Sequence, residues 1–202
     1  MASILKVDTI QDQSGNNIIN ENADTITIGA SGDTITIPSG ATLSNLGTAT
    51  GFGVNTPAFL ARNSATQSLS DDTMTKVQFN SVVYDTESGA YDNVTNYRFT
   101  VPSGQGGKYA VYSKIILDSE VSSNLDGGII EMRKNNSSLV GSGNNEVVFF
   151  NNPIRLIPLS VFAAVQLNAG DYLEVYCRIE ATDATGGRLN ANGNFGAYKL
   201  IG

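Results

Sequence analysis

From residue 58 onward, short stretches of alternating apolar and polar residues are separated by turns rich in Gly, Asn and Ser. Alternation with a period of two is typical of a strand that buries one face. The predicted strands cover residues 76–84, 97–101, 109–117, 128–133, 146–150, 160–167, 172–180 and 194–201. Strands at intervals of about 8 to 12 residues indicate a β-sandwich or jelly roll.

Two of these stretches predict what each strand face contacts. In 109–117, one face carries Tyr109, Val111, Ser113, Ile115 and Leu117, and the other carries Ala110, Tyr112, Lys114 and Ile116. Both faces are largely apolar, so we expect one to meet the core and the other a neighbouring subunit. In 172–180 one face is apolar, and we interpret its Cys177 as a small core residue.

Residues 1–57 have a different texture, because Phe52 is their only aromatic residue. The run Asp-Thr-Ile-Thr-Ile occurs at 24–28 and again at 33–37, which places Ile26, Ile28, Ile35 and Ile37 on one face of extended chain. A short uncharged strand pair is marginal alone and has open edges. We therefore expect residues 1–57 to form a β shaft that is ordered in a homo-oligomer or against a partner. A disordered tail is the alternative.

Composition excludes several classes of function. The chain has 202 residues, no His, one Cys and a net charge of −7, which excludes histidine-dependent catalysis, a disulfide within the chain and a thiolate metal cluster. The acidic charge argues against nucleic-acid binding. The most apolar stretch, 154–167, is too short for a membrane span, and residues 1–10 do not read as a secretory signal. We expect a soluble protein with no membrane insertion.

No candidate catalytic or cofactor site emerges from the motifs. The glycine-rich stretch 104–107 precedes a strand rather than a helix, so it is interpreted as a turn and not a phosphate-binding loop. Glu174 and Glu180 share a strand face about 20 Å apart, too far for a glycosidase pair. No spacing selects a calcium site among Asp85, Glu87, Asp118, Glu120, Asp126 and Asp183. We predict no enzyme activity, no cofactor and no metal.

Residues 58–202 resemble the trimeric jelly-roll head of the first complement component and its tumour-necrosis-factor-like relatives. The matching segments are 76–80, Tyr91, the run Phe-Thr-Val-Pro-Ser-Gly at 99–104, the segments 107–109 and 133–136, 165–171 and the terminal 194–198. The resemblance implies a homotrimer assembled around an aromatic inner sheet. It also implies a role in the core or the trimer interface for Phe79, Phe99, Tyr109, Tyr112, Phe195 and Tyr198.

Residues 3–43 are similar to the amino-terminal segment of virion proteins from tailed phages of marine bacteria, cyanophages especially. That resemblance implies a location on the exterior of a phage particle and docking to another virion protein in the tail or capsid. The apolar residues expected to dock are Ile4, Leu5, Val7 and Ile10, unless they pack around the trimer axis instead.

The prediction from sequence is therefore an all-β homotrimer with a short β-repeat shaft at 1–57 and a jelly-roll β-sandwich head at 58–202. Its expected function is attachment of a short tail fibre or spike to a host surface glycan or protein. The alternatives are a capsid decoration or head-fibre protein anchored by its amino terminus, and a polysaccharide-depolymerising spike. The residues expected in receptor loops are Asp85, Asn93, Asp126, Asn136, Asn144 and Asp183.

Overall fold

A computed structural model describes residues 9–15, 17–22, 25–29, 31–44, 46, 55–139, 144–148 and 153–200. The chain divides into two compact units, Met1–Gly51 and Phe52–Gly202. The secondary structure of the described ranges consists of strands and turns, which confirms the all-β prediction. Within the same ranges, no helix has the length and apolar character needed to cross a membrane.

The first unit contains a three-stranded antiparallel sheet of β1 (Thr9–Gln11), β2 (Asn17–Asn22) and β3 (Thr25–Ile28). Its register aligns Ile10 with Ile19 and Ile19 with Ile28, so three isoleucines form a row across the sheet. The second Thr-Ile repeat, 33–37, forms no strand, so the prediction of a strand pair is wrong for the single chain. The first copy takes β2 as its partner instead, and the second copy has no partner strand in the described part of the unit.

In its described residues the second unit has fourteen strands, which form two antiparallel sheets of seven strands each. They are β4 (Ala58–Arg62), β5 (Gln67–Leu69), β6 (Thr75–Lys76), β7 (Ser81–Asp85), β8 (Tyr91–Asp92), β9 (Arg98–Thr100), β10 (Gly107–Asp118), β11 (Leu125–Lys134), β12 (Ser137–Ser138), β13 (Asn144–Val148), β14 (Leu156–Leu167), β15 (Tyr172–Ala181), β16 (Gly187–Leu189) and β17 (Asn194–Lys199).

The strand order of the two layers is that of a jelly roll. In the front sheet the order is β7-β4-β17-β10-β14, with β16 beside the end of β10 and β5 beside β16. In the back sheet β13 and β12 pair with β11, followed by β15, β9 and β8, and β6 also pairs with β15. The eight main strands, numbered 1 to 8 along the chain, are β4, β9, β10, β11, β13, β14, β15 and β17. In these numbers the strand order is 1-8-3-6 in the front sheet and 2-7-4-5 in the back sheet. This order confirms the predicted jelly roll.

Aromatic rings fill the space between the two sheets. The Phe59 ring stacks on Phe99 at 4.7 Å and on Tyr91 at 4.9 Å, and it meets Phe195 edge-on at 5.0 Å. The buried Tyr109 hydroxyl donates to the Gln105 carbonyl oxygen, so its polar end is satisfied. Cys177 is also buried, which raises the pKa of its thiol to about 12. These residues form one contiguous core.

The predicted strand 76–84 is broken in the structure. Residues 75–76 pair with β15 in the back sheet, whereas 81–85 pair with β4 in the front sheet. Val77 and Phe79 are fully buried in the segment that crosses between them. The prediction of one strand over 76–84 is therefore wrong: the chain changes sheets because each half pairs with a different partner. The other predicted strands differ by a few residues at their ends, and 149–150 and 201 lie outside the described residues.

Candidate interaction surface

The outer face of the front sheet carries a row of apolar side chains. Strand pairing places Tyr84 beside Leu60, Leu60 beside Gly196, Gly196 beside Tyr112, and Tyr112 beside Phe162. We call these five residues the aromatic row. Tyr84 is 44% exposed and Phe162 is 61% exposed. A contiguous apolar row on a surface is a candidate contact site.

Glycine at position 196 leaves room for the Tyr112 side chain to lie across β17 at the centre of the aromatic row. A Cβ at this position would lie 2.5 Å from the Tyr112 hydroxyl oxygen and 3.0 Å from the Phe59 carbonyl oxygen. The Tyr112 side chain therefore occupies the space above β17 that a larger residue would fill. Burial, followed by the proximity of Tyr84 and a hydrogen bond with it, raises the pKa of Tyr112.

The rows on either side differ in polarity. Two residues beyond Gly196 along β17, at the end of the sheet that contains Ala58, Tyr198 lies between Ala58 and Ala110 and continues the apolar surface. A recess of about 280 Å³ follows, lined by Lys108, Ala164, Val165, Gln166 and Leu200. In the opposite direction, Asn194 lies between Arg62 and Lys114, which are both exposed. The apolar surface is thus a band with basic residues at its edges.

The outer face of the back sheet is polar and its charged side chains are largely paired within the chain, although the buried Nε of Arg178 has no hydrogen-bond partner among the described residues. The Arg133 guanidinium lies 4.0 Å from the Tyr176 ring centroid, and Arg98 lies 4.4 Å from that of Tyr172. Lys76 pairs with the buried carboxylate of Glu174. Because cations cover these rings and the charges are paired, this face offers little unsatisfied surface. The front sheet therefore carries the candidate interaction surface.

The structure separates the predicted head residues into two groups. Phe79, Phe99, Tyr109 and Phe195 are fully buried in the core. Tyr112 and Tyr198 are half-buried on the outer face of the front sheet. Of the two tyrosines in strand 109–117, Tyr109 thus lies in the core and Tyr112 lies on the outer face.

The predicted receptor residues do not converge on one site. Asp85 accepts backbone N–H groups from Glu87, Gly89 and Tyr91 and holds its own loop. The Asn93 side-chain amide donates to the Asn80 carbonyl oxygen, so it also stabilises a loop.

The remaining members of that set are spread over the head. Asp85 and the exposed Asn136 lie at the end of the sandwich where the chain enters, whereas Asp126 and Asp183 lie at the opposite end. Asn144 lies in β13, along the edge of the back sheet. The six residues therefore do not form a single receptor site.

The predicted shaft residues are exposed in the single chain. Ile26, Ile28, Ile35 and Ile37 each expose about half or more of their surface, between 49% and 68%. Ile10 is 40% exposed and belongs to the same row as Ile28 through Ile19. The other predicted docking residues, Ile4, Leu5 and Val7, lie outside the described residues. In the described ranges no group of three or more carboxylate or Cys side chains is close enough to bind a metal ion.

Sequence reasoning did not identify Leu60, Tyr84, Gly196 or Phe162 as parts of one surface. The alternation within 156–167 does predict a face for Phe162. Its neighbours in the row, however, come from strands that are distant in sequence. Only the register of five strands reveals the row.

No protein-family model and no curated protein matches the chain. Among solved structures, the globular domain of the zebrafish complement 1qA protein is similar, with a TM-score of 0.49 and 18% identity over 71% of this chain and 97% of that one. The Eiger TNF of S. frugiperda is similar with a TM-score of 0.45 and 22% identity, over 71% of this chain and 91% of that one. The jelly-roll assignment rests on the strand order of the chain itself.

Proposed function

We propose that the chain is a homotrimeric virion protein, a short phage tail fibre or spike whose head attaches to the host surface. The observation that carries the proposal is the aromatic row, which lies on the outer face of the front sheet. Burying a large apolar side chain contributes roughly 1.5 to 3 kcal/mol, so a second and third copy are its natural cover. Three copies are what the resemblance to complement-type heads implies.

The exposed isoleucines of the first unit support the same assembly. About half or more of the surface of each of Ile26, Ile28, Ile35 and Ile37 is left uncovered by the described residues of the chain. Equivalent segments from three chains would cover one another without any additional partner. The resemblance of residues 3–43 to phage virion proteins supplies the particle location, in which residues 4–10 dock onto another virion protein.

Attachment follows from this architecture. Three heads on one trimer combine weak individual contacts through avidity, so a fibre of this kind needs no deep ligand pocket. The loops at the end of the head opposite residue 57 are rich in polar and charged residues, which suits hydrogen bonding to a glycan or a protein surface.

Replacing Tyr112 with Asp tests the assembly. Three copies of a buried carboxylate would each lack a partner, so we expect Tyr112→Asp to give folded monomers in multi-angle light scattering at micromolar concentration. Asn136→Asp is the matched control, because Asn136 is exposed in a turn, and it should remain trimeric. A Tyr112→Asp protein that remains trimeric would refute the interface.

Attachment and location need separate measurements. The purified chain should bind host cells and compete with phage adsorption, and Tyr112→Asp should bind at least about tenfold more weakly because avidity is lost. Gold-labelled antibodies should mark the tail of the particle. Labelling of the capsid shell would favour a decoration or head-fibre protein, and release of reducing ends from host glycan would favour a depolymerase.

A further inference from the structure

A charged cluster lies at the end of the head opposite the point where the chain enters. Ala110 of β10 is level with Ala58 through Tyr198, and Asp118 lies eight residues further along β10, about 27 Å away. The loops that meet at this end contain residues 119–124, 153–155 and 182–186. Asp118, Glu120, Arg155, Arg188 and Asn190 form the cluster, which we call the distal cluster.

The centre of the distal cluster is the carboxylate of Asp118, which is 1% exposed. One of its oxygens accepts from Arg155 Nε at 3.0 Å and from the Glu120 backbone N–H at 2.8 Å. The other accepts from Arg188 at 3.0 Å. Because the carboxylate is buried and fully bonded, it holds both guanidinium groups in fixed positions.

The two arginines differ in what they have left to offer. All three guanidinium nitrogens of Arg188 donate a hydrogen bond. Besides the bond to Asp118, Nε donates to the Asn190 side-chain oxygen at 2.9 Å and Nη1 donates to Glu120 Oε1 at 2.8 Å. The Arg155 side chain is 52% exposed and is bonded through Nε alone, so its two terminal amino groups make no hydrogen bond to the described residues.

The position of Arg155 is fixed from its backbone as well. Its carbonyl oxygen accepts from the backbone N–H of Ser119 at 3.0 Å and from the Ser119 hydroxyl at 3.2 Å. Ser119 is itself buried. The terminal amino groups of Arg155 are thus a pair of donors held in place before any ligand binds, which lowers the entropic cost of binding.

The chemistry of the two terminal amino groups of Arg155 indicates which ligand they can bind. Two parallel N–H donors on a planar guanidinium match the two oxygens of a carboxylate. Glu120 is 51% exposed and has one oxygen free of the contacts with Arg188, which can accept from a hydroxyl group. The four charges of the cluster sum to zero, so recognition depends on short-range geometry rather than on long-range attraction.

We propose that the distal cluster binds a carboxylate-bearing sugar, with the terminal amino groups of Arg155 on the carboxylate and Glu120 on a neighbouring hydroxyl. The proposal rests on the proposed attachment function and names the class of receptor for it. Both oxygens of Asp118 already accept hydrogen bonds from the arginines, so this carboxylate is not available to a cation.

The test compares variants of the full-length trimer on surfaces coated with oligogalacturonate, with N-acetylneuraminate oligosaccharides, or with the methyl esters of either. The wild type should bind at least one of the two carboxylate surfaces and neither ester. Arg155→Ala should weaken that binding at least about tenfold, the loss expected for a charged bidentate contact. Arg155→Lys keeps the charge without the paired donors and should also lose most of the binding. Arg98→Ala, which removes a guanidinium from the back sheet, is the control and should bind normally.

The outcomes separate the two proposals. If the wild type binds host cells and Arg155→Ala binds them equally well, the distal cluster is a structural clamp and this inference is wrong, while attachment stands. The same conclusion follows if the wild type binds cells but neither carboxylate surface. If the wild type binds neither cells nor any of these surfaces, the attachment function itself fails. Light scattering must show that Arg155→Ala remains trimeric.

Discussion

Asp118 shows how one buried charge can organise the end of a sheet. Burial by itself raises the pKa of a carboxyl group, but here the hydrogen bonds from Arg155, the Glu120 N–H, Arg188 and Asn190 outweigh it and lower the pKa of Asp118 to about 2. A carboxylate held below its ordinary pKa contributes stability when it is ionised. That contribution is present above the unfolded pKa near 4 and is lost as the pH falls through about 2.

Acid unfolding of Asp118→Asn tests this directly. At pH 7 the variant should have a free energy of unfolding about 2 kcal/mol below that of the wild type, because its neutral amide loses the two ion pairs. The difference should shrink between pH 4 and pH 2, because the unfolded wild-type chain takes up a proton on this carboxyl group there while the folded carboxylate stays ionised. Urea titrations at matched protein concentration measure both values. A difference that stays constant down to pH 2 would contradict the assigned pKa shift.

At the scale of the element, the sequence predicted strand faces better than strand partners. The alternation in 109–117 assigns Tyr109, Val111 and Leu117 to one face, and all three are fully buried in the core. The break at 77–80 could not be predicted, because it depends on pairing with β15 on one side and β4 on the other. Local periodicity reports which side of a strand is buried, whereas register is set by partner strands elsewhere in the chain, as in the pairing of Lys76 with Tyr176 and of Ser81 with Arg62.

The aromatic row depends on such a long-range match, since Gly196 and Tyr112 are opposite each other only in the folded sheet. Gly196→Ala places a methyl group against the Tyr112 hydroxyl and the Phe59 carbonyl oxygen. We expect it to cost on the order of 1 to 3 kcal/mol of unfolding free energy and to weaken the trimer by displacing the Tyr112 ring.

A double-mutant cycle identifies the source of that cost. In a Tyr112→Ala background the ring is absent, so Gly196→Ala should cost clearly less than it does alone. The remaining cost reports the contact with the Phe59 backbone, which does not move as a side chain can. Equal costs in both backgrounds, measured by chemical unfolding, would show that Tyr112 does not lie over Gly196.

At the scale of the whole molecule, the two units differ in how far each buries its apolar side chains within one chain. The head has a core of its own, with six buried aromatic rings in mutual contact. The first unit has a three-stranded sheet whose isoleucines are exposed in the single chain. On the proposed function, the head folds within one chain and association covers one of its faces, whereas we expect association to stabilise the first unit.

Replacing Ile26, Ile28, Ile35 and Ile37 together with Ser should therefore destabilise the first unit and leave the head unchanged. Each substitution removes apolar surface that association would bury, so residues 9–46 should become sensitive to limited proteolysis at a low protease concentration. The head should remain trimeric in light scattering, because its aromatic row is unchanged. The matched control replaces Thr25, Thr27, Thr34 and Thr36 with Ser, which keeps the four isoleucines and should leave the first unit protected. If the isoleucine variant keeps full protection, the first unit is ordered without burying these side chains and is not a shaft held together by them.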